Sequence, residues 1–255
     1  MAFERIVPGT VEWDLYSGNH KSRYFFAKEI VERNKCLRIL DAATGVGYGA
    51  GVLSETGANI VAVDRSEEAL KIAQTQFSNN KITYVKDDCE ILGQIKESFD
   101  AVVSFETLEH LKRPESFLKR CNELLSDNGL LILSTPNQLV SGHTTKKDWE
   151  YHEKEYNPEE LINMVFNAGF KKVELYGQYY SQTGLLRNQF RSELNRIHSN
   201  PFLRLGRWIQ KILRGVQKRA VLPEMLSDFE IKEFQIEDSK TAMEQPFVLI
   251  AIARK

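Results

Sequence analysis

Asp41 stands just before a run of glycines at 45, 47, 49 and 51, and Asp64 closes the next apolar stretch. Glycine clears the space a backbone needs to approach a ligand closely, and a helix start supplies N–H groups aimed at it. The pattern predicts a nucleotide-like ligand above Gly45 and Gly47, with the Asp64 carboxylate accepting the hydroxyls of a ribose. The Walker ending G-K-[ST] is missing, so no lysine is placed for a triphosphate. A carboxylate at Asp41 would repel a pyrophosphate and suits a ligand with an ammonium or sulfonium centre.

Proton transfer near neutral pH points to histidine. His110 lies in S-F-E-T-L-E-H-L, with Glu106 four residues earlier, a spacing at which Glu106 holds the imidazole if the turn is helical. His152 lies in W-E-Y-H-E-K-E-Y-N-P. Both are candidate bases, and the sequence does not choose between them. His20, His143 and His198 have little to recommend them. The helical H-x-x-x-H ligand spacing is absent, so no metal is expected.

These residues need a scaffold that brings strand ends together. Leu37, Ile39 and Leu40 lead a buried strand to Asp41, and residues 59–63 lead a second to Asp64. Helical spacing follows at 20–33, with Tyr24, Phe25, Ala27, Ile30 and Val31 as the buried face, and at 66–79, where Ser66 is a good N-cap and Glu67 and Glu68 favour the helix dipole. Further strands are expected at 82–85, 99–104, 130–133, 172–176 and 247–253, with helices at 114–125 and 158–167. Alternating strands and helices predict a doubly wound α/β fold with a mainly parallel, seven-stranded sheet covered on both faces.

Five motifs in register, L-D-A-A-T-G-V-G-Y-G, V-A-V-D-R-S, Y-V-K-D-D-C-E, F-D-A-V-V-S-F-E-T-L-E-H-L and L-S-D-N-G-L-L-I-L-S-T-P-N, resemble class I S-adenosylmethionine-dependent methyltransferases over most of residues 20–180. Within them the chain looks most like the small-molecule group that includes quinone-biosynthesis enzymes and members of bacterial surface-glycan pathways. The resemblance implies S-adenosylmethionine as cofactor. It places Asp41, Gly45 and Gly47 along the methionine part, Asp64 on the ribose, Arg65 beside the adenine, Asp88 on the adenine amino group and the Cys89 backbone on the ring. Ser104 and Phe105 would close over the sulfonium, and Arg23, next to Tyr24, would meet the methionine carboxylate or else lie on the helix surface. Similar enzymes often carry a histidine where His152 stands. The departure is Ala43, where the family usually has glycine, which leaves slightly less room beside the amino-acid end of the cofactor.

At 255 residues and 42% hydrophobic composition the chain can bury one substantial core, which points to one domain with an insertion. A net charge of −1 gives no global attraction to nucleic acid or an anionic membrane. Cys36, Cys89 and Cys121 are odd in number and far apart, and no apolar leader or spanning segment is evident, so a cytoplasmic protein is expected. Between the last two strands, residues 181–245 form an unusually long insertion. Phe202, Leu203, Leu205, Trp208, Ile209, Ile212, Leu213 and Val216 fall on one helical face of it, and arginines and lysines from Arg187 to Arg219 dominate the other. A helical lid, packed on the domain or on a second subunit as a homodimer, is the preferred reading; contact with a lipid-linked phosphate, a sugar nucleotide or a membrane is the other.

Three functions compete. One is methylation of a hydroxyl, or less favourably an amine, on a small molecule or glycan intermediate. A second is methylation of nucleic acid or protein, against which S-F-E-T stands where an N-P-P-Y type sequence would grip a planar amino group. The third is a binding protein that keeps the pocket without turnover.

Overall fold

The computed structural model describes residues 7, 10, 13, 17–142, 151–182, 184–186, 226–234 and 245–255. The expectations for His143, for His198 and for the apolar and basic faces of the insertion fall outside these residues, as do most of residues 1–16. By its contacts the chain forms two compact units. The first comprises Met1–Arg5, Arg23–Tyr179 and Ile231–Lys255, and the second Ile6–Ser22 and Tyr180–Glu230. The chemistry considered below lies in the first. In the second, the Ser181 amide donates to the carbonyl of Asp228 at 2.8 Å.

Strands β1 (Arg38–Ala42), β2 (Asn59–Asp64), β3 (Ile82–Lys86), β4 (Phe99–Phe105), β5 (Leu125–Pro136), β6 (Lys172–Tyr180), β7 (Phe229–Glu233) and β8 (Val248–Arg254) form one sheet in the order β3-β2-β1-β4-β5-β8-β6-β7. The first five are parallel to their neighbours, and β8 runs antiparallel between β5 and β6. One strand more is present than the seven expected. Phe229–Glu233, F-E-I-K-E, alternates apolar and charged residues, and it sits at the sheet edge with Phe229 buried.

Strand order reverses between β1 and β4, so the crevice for a ligand opens at the carboxyl ends of these two strands. The pleat sends alternate residues to opposite faces. Leu40, Ala42, Val61, Val63, Val102, Leu131 and Leu133 enter one core with Phe117, Leu118, Leu161 and Val165. Ile39, Ile60, Ala62, Ala101, Val103 and Ile132 enter the other with Ala27, Val31, Ala50 and Leu53. Both faces are therefore covered, as near-continuous apolar strands require.

The helices are α1 (Gly18–Arg33), α2 (Tyr48–Ser54), α3 (Glu67–Phe77), α4 (Pro114–Leu124), α5 (Gln138–Ser141) and α6 (Pro158–Asn167). Helix α1 buries Ala27, Ile30 and Val31, but Phe25 is 36% exposed, because it lies off the stripe that those residues define. Ser66 caps α3 by accepting from the Ala69 amide. Helix α6 opens on a capping box: the Asn157 side chain accepts from the Glu160 amide at 2.9 Å, and Glu160 accepts from the Asn157 amide at 3.1 Å. No helix among the described residues is long and apolar enough to cross a membrane. Asn157→Ala is expected to cost about 1 kcal/mol of stability, read as a lower urea midpoint at unchanged slope.

Candidate active site at the carboxyl edge of the sheet

The turn after β1 is held in a conformation that few sequences adopt. Ala43, Gly45 and Gly47 all have left-handed φ values, 65°, 57° and 81°. At Gly45 an added Cβ would meet nothing within 4 Å, so the backbone there borders open space. At Gly47 it would fall 2.5 Å from Ala73 Cβ and 2.8 Å from Tyr84 Oη, so close packing and backbone both require glycine. Ala43 takes up its strained φ without glycine's help, and the strand end is tied down around it: the Ser104 hydroxyl donates to the Ala42 carbonyl at 2.9 Å.

Asp64 laces this turn to the end of β2. Its Oδ2 accepts from the Gly45 amide at 2.9 Å and its Oδ1 from the Ser66 amide at 2.8 Å. The next turn, after β3, closes on the same structure. Asp87 N donates to the Asp64 carbonyl, and the buried Cys89 thiol accepts from the Ala43 amide. Burial, reinforced by the charge of Asp64, pushes that thiol up to about 12. Asp88 is exposed and accepts from the Glu90 amide, while Arg65 is exposed beside Asp64.

Asp41 is fully buried. Thr44 Oγ1 donates to its Oδ2 at 2.5 Å and Tyr24 Oη donates to its Oδ1 at 3.2 Å. Burial pushes its carboxyl up to about 6, with a further push from the Asp64 charge; the two hydroxyl donors oppose the rise but do not cancel it. Tyr24 reaches Asp41 because Gly49 has no side chain: a Cβ there would stand 1.9 Å from the tyrosine ring. The other side of the ring meets Phe105 edge-on at 4.9 Å. The sequence placed Tyr24 on a buried helix face and, by resemblance, beside Arg23 near the cofactor, but gave its hydroxyl no partner. The available signal was a tyrosine on a buried face, whose O–H must find an acceptor.

Beyond β4 the sequence reading needs correction. No contact among those described joins Glu106 to His110: Glu106 itself is left-handed (φ 50°), and the helical turn that follows is a 3-10 turn over Leu108–His110. The four-residue spacing of an α-helix is thereby lost. Glu106 instead accepts from the Ser134 hydroxyl at 2.9 Å and pairs with the Arg23 guanidinium at 3.8 Å. Arg23 is fully buried, not on the helix surface, and donates to Gln178 Oε1 at 2.6 Å.

The acid beside His110 is Glu109, which was absent from the sequence candidates. It is 1% exposed; its Oε2 accepts from Thr135 Oγ1 at 3.0 Å, and its Oε1 has no hydrogen-bond partner among the described residues. Burial, then the nearby Glu106 charge, hold its carboxyl well above the usual range. Oε1 lies 3.9 Å from His110 Nε2. His110 Nδ1 lies 2.8 Å from the Tyr151 carbonyl, and His152 Nδ1 lies 2.7 Å from Glu155 Oε1. The two imidazoles meet edge to face, with centroids 4.8 Å apart.

Backbone bonds bring these distant segments together. The Glu153 and Lys154 amides donate to the Glu109 carbonyl, and Gln138 N donates to the Tyr156 carbonyl. One atom each from Glu109, His110 and His152 lie within 4.8 Å of one another, an arrangement able to hold a divalent cation. The expectation of no metal rested on spacing within one helix. Here the set is shared between a 3-10 turn and a separate loop, which such spacing cannot reveal.

Fold and notch together define a doubly wound α/β domain with an open glycine turn at its switch point. Residues 40–133 match the family model of a methyltransferase domain. A probable S-adenosylmethionine-dependent methyltransferase of Mycobacterium tuberculosis is 27% identical over 179 residues, which span 69% of this chain and 63% of that protein. The ubiquinone biosynthesis O-methyltransferase of Ruegeria pomeroyi is 31% identical over 162 residues, 55% of this chain and 62% of that one. The chain thus spans less than two thirds of the length of these relatives. Among solved structures, an S-adenosylmethionine-dependent methyltransferase of Thermotoga maritima superposes with a TM-score of 0.58 at 16% identity, covering 94% of this chain and 92% of that one. The chain is thus similar to S-adenosylmethionine-dependent methyltransferases, with a methyltransferase-domain match over residues 40–133 and the same fold.

The notch is compatible with S-adenosylmethionine, the cofactor its relatives are named for: the open space over Gly45 would admit the amino-acid end, and a buried carboxylate at Asp41 would complement the positive charge. Because the folded pKa of Asp41 exceeds the unfolded one, its contribution to stability is full at acid pH and is lost as pH rises from 3.8 through about 6. Asp41→Asn is therefore expected to stabilise the unliganded protein at pH 7 by up to about 3 kcal/mol, while weakening cofactor binding. Wild-type affinity should fall as the pH drops below about 6. Thermal melts and calorimetry across pH 5 to 8 check both.

Proposed function

We propose that this chain transfers the methyl group of S-adenosylmethionine to a hydroxyl of a small molecule, a glycan or nucleotide-sugar intermediate included. The observation that carries this reading is the Glu109–His110–His152 cluster, which begins just past the end of β4. Phe105 closes that strand and, through its contact with Tyr24, adjoins Asp41. Cofactor notch and cluster are thus neighbours on one sheet edge.

Displacement at a sulfonium methyl needs no help at its leaving group. The acceptor oxygen must be placed in line with the methyl and relieved of its proton. Each Nδ1 of the cluster faces an acceptor, the Tyr151 carbonyl or the Glu155 carboxylate, so each ring carries its N–H there and keeps Nε2 as its basic nitrogen. Relatives named as ubiquinone biosynthesis O-methyltransferases support oxygen as the acceptor atom.

The cluster can act in two ways. A divalent cation held by Glu109 Oε1 and the two Nε2 atoms would lower the pKa of a bound hydroxyl and keep positions open for an acceptor with two adjacent oxygens. The second reading is an imidazole that takes the proton directly, and the tight His152–Glu155 pair serves it as well as it serves a cation. Dialysis against a chelator separates them: activity lost and restored by Mg²⁺ or Mn²⁺ supports the cation, and activity unchanged supports the imidazole. His110→Ala and His152→Ala should each lower kcat by roughly 100-fold or more at unchanged cofactor affinity. A double variant that methylates catechols and sugar hydroxyls at the wild-type rate would refute the role of the cluster.

A further inference from the structure

Glu155 touches neither the cofactor notch nor Glu109 in the contacts described, yet it is 3% exposed. Burying a carboxylate is costly unless its oxygens are hydrogen-bonded, and both of these oxygens are engaged. Oε1 lies 2.7 Å from His152 Nδ1, and Oε2 accepts from the Ser141 hydroxyl at the end of α5. Ser141 is fixed in turn, since its amide donates to the Asn137 carbonyl at 3.0 Å, and Asn137 is itself buried against the Pro246 carbonyl. The chain of contacts runs from the β5 exit through Ser141 and Glu155 to the edge of His152.

We infer that Glu155 is a positioning residue: it fixes His152 as the Nδ1–H tautomer and sets the plane of its ring, so that Nε2 faces Glu109 and His110. This rests on the reading of the cluster given above and adds a residue to it. The two imidazoles are oriented by different means. At Nδ1, His110 meets a main-chain carbonyl, which a side-chain substitution leaves in place, whereas His152 meets the Glu155 carboxylate. A neutral imidazole in water slightly prefers the Nε2–H form, so without Glu155 the proton would move to the nitrogen that has to accept a proton or ligate a cation. The role is one of geometry and tautomer. Glu155→Gln preserves it, because the amide oxygen still accepts from Nδ1–H and Ser141 can turn its hydroxyl to accept from the amide nitrogen. Outer carboxylates of this kind are typically worth about 10–100-fold in metal affinity or activity.

Long-range ¹H–¹⁵N correlation spectra of the full chain, labelled at histidine nitrogens and recorded at pH 8, read the tautomer directly, with His152→Ala assigning the signal. Wild type and Glu155→Gln should show Nδ1–H at His152, and Glu155→Ala should shift it toward Nε2–H. In methyl-transfer assays Glu155→Ala should lower kcat by about 10–100-fold with the KM for S-adenosylmethionine unchanged, and Glu155→Gln should recover most of the loss. If Glu155→Ala does not fold, the native spectrum still decides, because Nε2–H at His152 in wild type overturns the inference. Nδ1–H and full kcat persisting in Glu155→Ala while His152→Ala is inactive would also overturn it, leaving the cluster reading intact. Full activity in both variants would instead overturn the cluster reading.

Discussion

The structure turns on a carboxylate kept where water cannot reach it. Asp41 has no exposed surface, and its neighbours are arranged to make a negative charge tolerable there without making it comfortable. A buried anion with two hydroxyl donors and another carboxylate nearby remains under-compensated, which is why burial lifts its pKa. Such a site is destabilising by itself and gains when a cation arrives. Much of the surrounding sequence follows from holding it in place. Gly49 clears the path for the Tyr24 ring, Tyr24 brings α1 onto the sheet edge, and Asp64 pins the turn that carries Gly45.

A second under-compensated acid stands on the acceptor side. Glu109 is as deeply buried as Asp41 and, among the described residues, keeps one oxygen without a hydrogen bond. Its carbonyl anchors the loop that carries His152, so one residue contributes both a side chain to the cluster and the main-chain acceptor that assembles it. Arg23 adds a buried positive charge beside Glu106 and moderates the crowding of carboxylates there. Perturbed groups concentrated at a topological switch point are the usual cost of a working site, met elsewhere by two well-packed cores.

Much of the geometry around the glycine turn could be read from the sequence, because its logic is local. Asp41, Gly45, Gly47 and Asp64 are fixed by strand ends and a turn within one short stretch, and their spacing carries the geometry. Ser66 as a cap and the alternation of apolar residues through β1, β2 and β4 are local in the same sense. The acceptor half was legible only in part. His110 and His152 were found as residue types, but the partner expected for His110 was Glu106, which leaves the helical path at a left-handed φ that no periodicity announces. Glu109 and Glu155 act through contacts made across the fold, as does Arg23 with Gln178. The strand Phe229–Glu233 was missed because five residues of an edge strand give too short a pattern to stand out within a long insertion.

Everything on the acceptor side presupposes a sulfonium methyl presented from the notch. Titration calorimetry of the wild-type protein with S-adenosylmethionine and its demethylated product tests that presupposition most directly. Saturable one-to-one binding of both, lost on replacing Asp64 with alanine, is the predicted result. No heat from either ligand at millimolar concentration, with a nicotinamide or flavin nucleotide binding instead, would contradict it.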